Sequence, residues 1–369
     1  MDQSADNKTV VLAVGIDDDF AAPLLVMLRS ACRNLSPGWG LEVFILEHQV
    51  SQASRELIDS GLSGFPVRVR WRTPDLRNVR ARLPEIRVEG EVSVYFRLLI
   101  GEALPERVEH VIYLDTDIMV EGDLVELWNL PFDGHLLQAA PDAYAGTLHI
   151  PRLRSIAAEA SLGFGDGATY FNAGVQLIDL RAWREERTGE RALDLLLEHG
   201  NRLLGRDQDA LNLILTDRWK PLPPSWNFHE LPQCLFLWEC GTISTAELKR
   251  TFQSPQIVHF IGHWQPWGHS CSQKYQEHWQ QVAREAGVAQ ERPPLLQSLW
   301  HRLIREPHSR LNWFIWRNVI QAPDPGEWHR IAMVVLMHPW MVVTYPLWQA
   351  KVWLDFRVRK PLRRWLRTR

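Results

Sequence analysis

Cysteine is scarce in this chain. Four in 369 residues (Cys32, Cys234, Cys240 and Cys271), none in Cys-x-x-Cys spacing, exclude a disulfide-stapled fold and read as ordinary thiols of a reduced compartment. Long uninterrupted hydrophobic runs are also missing. The N-terminus, Met1 to Lys8, is polar and leads straight into a strand, with no apolar core of a signal peptide, so the expected location is the cytoplasm. The most apolar stretch, Ile331 to Trp348, is broken by His338, Pro339 and Pro346, which makes it marginal as a spanning helix of about 20 residues. Excess charge is lacking as well. A net charge of -3 argues against a nucleic-acid partner for the chain as a whole.

Tryptophan, by contrast, is abundant. Eight of the 18 lie at or after Trp300, and from Glu291 onward 14 Lys/Arg face only 5 Asp/Glu. The Arg292-Pro293-Pro294 stretch reads as a linker. We therefore expect two regions, a catalytic-sized domain over residues 1–288 and a basic, Trp-rich helical extension over 289–369. Mixed aromatics and cations suit the headgroup layer of an anionic membrane surface, which would place the protein peripherally on the inner face of the cytoplasmic membrane. A Trp-filled helical subdomain packed on the core is the other reading.

Along the first region, short apolar runs alternate with amphipathic segments. Val10 to Ile16, Leu41 to Leu46, Val67 to Trp71, Leu136 to Pro141 and Tyr170 to Leu180 read as strands. Ala21 to Cys32, Ser51 to Gly61, Val94 to Leu104, Leu124 to Asn129 and Arg181 to His199 read as helices. This rhythm predicts an α/β fold with a mostly parallel sheet.

One stretch stands out, Val111 to Val120, where Asp115 and Asp117 sit one residue apart in an apolar run. In an extended strand both would point to one face, and two buried carboxylates there repel unless a cation joins them or one is protonated. A strand ending in turn residues, with one Asp capping the next helix, is the alternative. Asp17, Asp18, Asp19 and Phe20 close the first strand; they could cap the following helix or, at a ligand-collecting strand end, accept from a base that stacks on Phe20. Arg97, on an apolar background, suits a half-buried ion pair or a phosphate or metal-bound carboxylate. Asn172, Ala173 and Gly174 interrupt an apolar stretch, as a bulge or as a close ligand approach requires. Asp207 reads as an N-cap, and Gln208 has no evident structural task. His259 closes a short run, Ile257 to Gly262, and would be a core histidine unless a metal needs a third ligand; imidazole with carboxylates suits Mn2+ better than Mg2+.

Taken in order, these motifs resemble the family-8 retaining glycosyltransferases, metal-dependent enzymes of GT-A fold, over about Val10 to Gln280. The resemblance implies that Gly15, Asp17, Asp19 and Phe20 hold uracil and ribose, with Asp19 and Phe20 standing where the family has Asn and Tyr. It implies that Arg97 lies near the donor. Leu114-Asp115-Thr116-Asp117 matches the metal motif, and His259 the third ligand, with Gly262 and Gln265 in the diphosphate loop. The family's usual Lys is Gln265 here, which removes about 1.5–3 kcal/mol of charge-assisted hydrogen bonding unless His263 or Lys274 substitutes. Asp142, Asp207, Asn172 and Ala173 would border the donor sugar, and Gln208 would lie under its anomeric carbon.

The implied activity is transfer of a hexose, glucose or galactose, from a UDP-sugar to a saccharide or glycolipid acceptor such as a lipopolysaccharide core. Mn2+, or Mg2+, on Asp115, Asp117 and His259 would neutralise the leaving diphosphate. Retention, with no carboxylate nucleophile in view, favours front-face attack. Two other classes compete: a nucleotide-sugar-binding protein without activity, and a haloacid-dehalogenase-type phosphatase. The phosphatase normally carries its Asp-x-Asp on the first strand of the domain, whereas here about 110 residues precede it.

Overall fold

A computed structural model describes residues 8–77, 89–165, 168–229, 243–261, 266–268 and 273–289. Gly262, His263, Gln265, the Lys274 side chain and the extension beyond residue 289 lie outside the described residues. The strands are β1 (Thr9–Ile16), β2 (Gly40–Glu47), β3 (Val67–Arg72), β4 (His110–Leu114), β5 (Ile118–Val120), β6 (Leu137–Pro141), β7 (Phe171–Asp179), β8 (Trp219–Pro221) and β9 (Ile257–His259). Among the described residues, seven of them form one sheet in the order β3-β2-β1-β4-β7-β6-β8. Only β7 runs against its neighbours β4 and β6; the other pairings are parallel. The expected mostly parallel α/β sheet is what forms.

Alternation along the strands places apolar side chains on both faces. Val111 and Tyr113 of β4 join one core cluster, while Ile112 and Leu114 join the other. A sheet buried on both sides needs this near-continuous apolar run. The helices that cover it are α1 (Ala21–Arg33), α2 (Gln52–Gly61), α3 (Ile100–Ala103), α4 (Leu124–Trp128), α5 (Ala143–Glu159), α6 (Leu180–Glu185), α7 (Thr188–His199), α8 (Asp207–Ile214), α9 (Thr245–Gln253) and α10 (Gln273–Glu285). Ser51 and Asp123 cap α2 and α4 through their side chains. Among the described residues no helix is long and apolar enough to cross a membrane.

Four local expectations are corrected. The run Val111 to Val120 is not one strand: β4 ends at Leu114, and β5 leaves the main sheet to pair antiparallel with β9. The two carboxylates therefore meet at a bend rather than by strand alternation. Residues 94–104 are mainly a 3-10 helix, Glu89–Leu99, followed by α3. The single helix expected over 181–199 is two, α6 and α7, broken at Arg187 in the left-handed region with φ 51°. Gly189 lies there against the Leu98 carbonyl, leaving no room for a β-carbon, so a tertiary approach sets the break. Finally Asp207 is the first residue of α8 and not its cap, a place taken by Arg206 with φ 50°.

Topology then collects the chemistry. The C-terminal ends of β1, β4 and β6 and the N-terminal end of the antiparallel β7 lie at the same end of the sheet, which brings together Asp17, Asp115, Asp142 and Asn172. Ligands bind α/β sheets at such ends. The β5–β9 ribbon adds His259, which pairs in register with Ile118.

Candidate active site

Three side chains from two distant stretches of the sequence converge at this end. One ligand atom each from Asp115, Asp117 and His259 lies within 4.8 Å of the others. His259 Nε2 is 3.1 Å from Asp117 Oδ1 and 3.9 Å from Asp115 Oδ2. β7 and the ribbon hold them in place: the Asp115 amide donates to the Gly174 carbonyl of β7 at 2.8 Å, and the Phe260 amide, just past β9, to the Asp117 carbonyl at 2.8 Å. Two carboxylates and a neutral imidazole form a donor set suited to a divalent cation of intermediate softness, so these residues fit the metal that the sequence motif implies.

The electrostatics point the same way. Burial pushes the Asp115 carboxyl above the usual range; Asp117 adds to this and Arg97 opposes it. For His259, burial works to lower the imidazole, but Asp117 and Asp115 outweigh it and hold it above its ordinary value. Like charges crowded away from water favour a bound cation over a proton wherever one is supplied.

Arg97 braces the trio from below. It is 7% exposed, its Nη2 lies 2.7 Å from Asp115 Oδ1, and its Nε lies 2.8 Å from Asp207 Oδ2. Its Nη1 donates to the Ala173 carbonyl, and the guanidinium sits 5.0 Å above the Tyr113 ring. Arg97 thus forms the ion pair that one reading of the sequence predicts, and Asp115 is one of its two partners. Burial pushes the Asp207 carboxyl up to about 6, with Arg97 pulling against it.

β7 supplies the neighbouring wall. Its pairing with β6 shifts register between Ala139 and Pro141, so residues 172–174 bulge as sequence allowed. The bulge exists because the backbone passes close to the site: a β-carbon on Gly174 would collide with the His259 ring and stand 2.9 Å from Asp115 Oδ2. Gln208, at the start of α8, reaches the same strand. Its Oε1 accepts from the Ala173 amide at 2.9 Å and its Nε2 donates to Tyr170 Oη at 3.1 Å. Asn172 Nδ2 donates to Asp142 Oδ2 at 3.2 Å, which fixes Asp142 beside the bulge.

The first-strand residues border the other side. Asp17 accepts from Ser93 Oγ at 3.2 Å and gives no side-chain cap to the 3-10 turn Asp18–Phe20, nor does Phe20 cap α1, so the capping reading of these acids is not what forms. Phe20 is half-buried, with its ring edge-on to Trp267 at 6.0 Å. Asp19 is exposed. Gly15 packs under the 3-10 helix, where a β-carbon would meet the Ser93 carbonyl at 3.0 Å, so its smallness serves that approach. Thr116 is buried in the bend between the two carboxylates. The sequence holds three Asp-x-Asp pairs, Asp17/Asp19, Asp115/Asp117 and Asp207/Asp209, and only Asp115/Asp117 joins two carboxylates in this trio; Asp209 instead accepts from Tyr170 Oη at 2.6 Å and from the Gly205 amide at 2.7 Å.

Sequence reasoning missed Asn227 and His229. The Asn227 carbonyl oxygen lies 2.9 Å from His259 Nδ1 and 2.8 Å from His229 Nε2, and its amide donates to Asn172 Oδ1 at 2.9 Å. Burial, then the adjacent His259, holds His229 well below its ordinary value and so neutral. Their one visible signal was a Trp-Asn-Phe-His stretch after a Pro-rich turn.

The fold matches that of solved glycosyltransferases. A galactosyltransferase, LgtC, determined with donor and acceptor sugar analogues, superposes with a TM-score of 0.60 at 22% identity, over 80% of this chain and 99% of that one. The fold is therefore GT-A, the class that works on nucleotide-sugar donors, typically with a divalent metal. A family model described as glycosyl transferase family 8 matches residues 11–271, and the chain belongs to that family. It is a glycosyltransferase. General stress protein A of Bacillus subtilis is 25% identical over 264 residues, 71% of this chain and 88% of its own length. A lipopolysaccharide 1,2-glucosyltransferase of Escherichia coli is 28% identical over 225 residues, 60% of this chain and 63% of its own length.

Proposed function

We propose that this protein moves a hexose, glucose or galactose, from a UDP-sugar to a saccharide or glycolipid acceptor, with retention of anomeric configuration and with Mn2+ as its metal. The observation that carries this reading is the convergence of Asp115, Asp117 and His259 beside Arg97 and Gln208 at one end of the sheet. The similarity to a lipopolysaccharide glucosyltransferase and to a galactosyltransferase supports the choice of sugar and acceptor. The extension over 289–369 would bring the domain to the anionic surface where such an acceptor sits.

Asp115, Asp117 and His259 would hold a dication, which would supply the positive charge that stabilises a departing diphosphate. The chain's own residues do the rest. Arg97 ties Asp115 and Asp207 into one rigid group, so little reorganisation is needed as charge develops. Asp142 and Asp207 accept from donor-sugar hydroxyls and fix the ring. Gln208, a neutral amide, is no nucleophile, so retention comes from front-face attack. The acceptor hydroxyl gives its proton to an oxygen of the leaving phosphate as its own oxygen bonds to the anomeric carbon, and the amide dipole of Gln208 steadies the cationic centre.

Screening UDP- and GDP-sugars with and without Mn2+, and reading the anomeric coupling of any product by proton NMR, tests this. An α-linked product from a UDP-α-hexose is expected. A β-linked product would contradict the mechanism, and release of phosphate from simple phosphoesters without sugar transfer would contradict the class.

A further inference from the structure

We infer that Asn227 is a positioning residue that decides which nitrogen of His259 faces the two carboxylates. The inference rests on the reading of Asp115, Asp117 and His259 as a dication site and names the group that makes the histidine a competent member of it.

The Gly174 backbone amide can only donate. It lies 2.9 Å from one side-chain atom of Asn172, which must therefore be the carbonyl oxygen. That oxygen also faces Asn227 at 2.9 Å, so the Asn227 atom turned towards it must be the amide nitrogen. The other side-chain atom of Asn227 is then its carbonyl oxygen, an acceptor only, and both of its imidazole neighbours must bring a proton to it. His229 donates from Nε2 at 2.8 Å and His259 from Nδ1 at 2.9 Å. A neutral His259 with its proton on Nδ1 carries its lone pair on Nε2, the nitrogen 3.1 Å from Asp117 Oδ1. The whole relay is buried: Asn172, Asn227, His229 and His259 are each no more than 6% exposed, so water does not substitute for any member.

Without the Asn227 oxygen, the Nδ1 proton would be buried with no acceptor. The ring relieves this by moving the proton to Nε2, where an N–H aimed at the carboxylates blocks ligation. Groups that orient a ligating histidine typically contribute about 10- to 100-fold in metal affinity. Asn227 touches neither metal nor substrate in this scheme. It acts through His259.

Mn2+ titration of the full-length protein, following the electron paramagnetic resonance signal of the free ion, tests this with two variants. Both lose the amide proton that Asn227 gives to Asn172 Oδ1; Asn227→Leu also removes the acceptor facing His259, which Asn227→Asp keeps. The expected result is Mn2+ binding about 10- to 100-fold weaker for N227L and at least as tight as wild type for N227D. Thermal melts identify folded variants, and Asn227→Ala replaces N227L should the latter not fold. Wild-type affinity in N227L, or equal loss in both variants, would show that Asn227 only fills space and would overturn the inference. Failure of the wild-type protein itself to take up Mn2+ would bring down the dication reading and this inference with it.

Discussion

Gly174 passes His259 at a distance that no side chain could share: a β-carbon there would run into the imidazole and stand 2.9 Å from Asp115 Oδ2. Its partners are themselves fixed, His259 by Asn227 and Asp115 by Arg97. The smallest side chain is therefore required for the trio to close. Gly174→Ala is expected to abolish Mn2+ binding and to reduce transfer at least 100-fold, since a displacement of about 1 Å in a reacting site costs on that order. Circular dichroism should show an unchanged fold. Equilibrium dialysis against Mn2+ and a UDP-release assay read the two effects separately.

Arg97 stands between a half-buried carboxylate, Asp115, and a buried one, Asp207, and its removal exposes both to the cost of unpaired charge. Arg97→Met keeps much of the volume but leaves Asp115 and Asp207 without their cation. Breaking such a pair from one side costs about 3–5 kcal/mol. Urea unfolding in EDTA should show that loss. Added Mn2+ should recover more stability in the variant than in wild type, because the dication then compensates a charge that Arg97 no longer offsets.

Much of the fold was legible because the periodicity of buried strands is a local property. β1, β2 and β3 follow from apolar runs bounded by turn residues, Asp115 and Asp117 stand out as charge placed where apolar residues belong, and His259 as a ligand follows only from the family resemblance. What stayed hidden depends on contacts across space. Nothing in residues 181–199 announces that the Leu98 carbonyl will press on Gly189 and split the helix. An 11-residue 3-10 helix, Glu89–Leu99, has an amphipathic pattern close to that of an α-helix over so short a span. Asn227 and His229 are residue types that satisfy cores everywhere, and only the Asn227 oxygen shared between His229 and His259 reveals a role. Asp207 looked like a cap because an Asp before a helix usually is one; here its partner is Arg97, 110 residues earlier in the chain.

That partner does not make Asp207 an easy anion. Burial pushes its carboxyl up to about 6, above the ordinary 3.8, despite the guanidinium 2.8 Å away. A folded-state value above the unfolded one means that the native protein holds this proton more tightly. The resulting stabilisation is complete below about pH 3.8 and is lost as pH rises through about 6. The full difference amounts to about 3 kcal/mol for this group. Comparing wild type with Asp207→Asn by denaturant unfolding in EDTA isolates it: the wild-type stability should fall relative to the variant between about pH 4 and 6 and run parallel to it above about pH 7. A constant difference across that window would show that Arg97 keeps the carboxylate ionised throughout.

Gln208 owes its orientation to a second buried chain. Asp209 Oδ1 accepts the Tyr170 phenol proton at 2.6 Å, so towards Gln208 the phenol oxygen can only accept, and it takes the amide Nε2 at 3.1 Å. Gln208 Oε1 is thereby turned to the Ala173 amide, on the site wall. Burial, reinforced by Asp209, holds the Tyr170 phenol far above its ordinary value, so it stays protonated at every working pH. Tyr170→Phe removes the hydroxyl and nothing else, loosening the Gln208 amide at its Nε2 end and leaving Asp209 short of a donor. The latter costs about 1–3 kcal/mol in stability. The former should appear as a fall in kcat of about tenfold, since one misaligned dipole in a preorganised site is worth on the order of 1.4 kcal/mol. The KM for donor should change little, because the trio and Arg97 are untouched. Steady-state kinetics at saturating Mn2+ separates these effects, and a change confined to KM would place Gln208 in donor binding instead of in the transfer step.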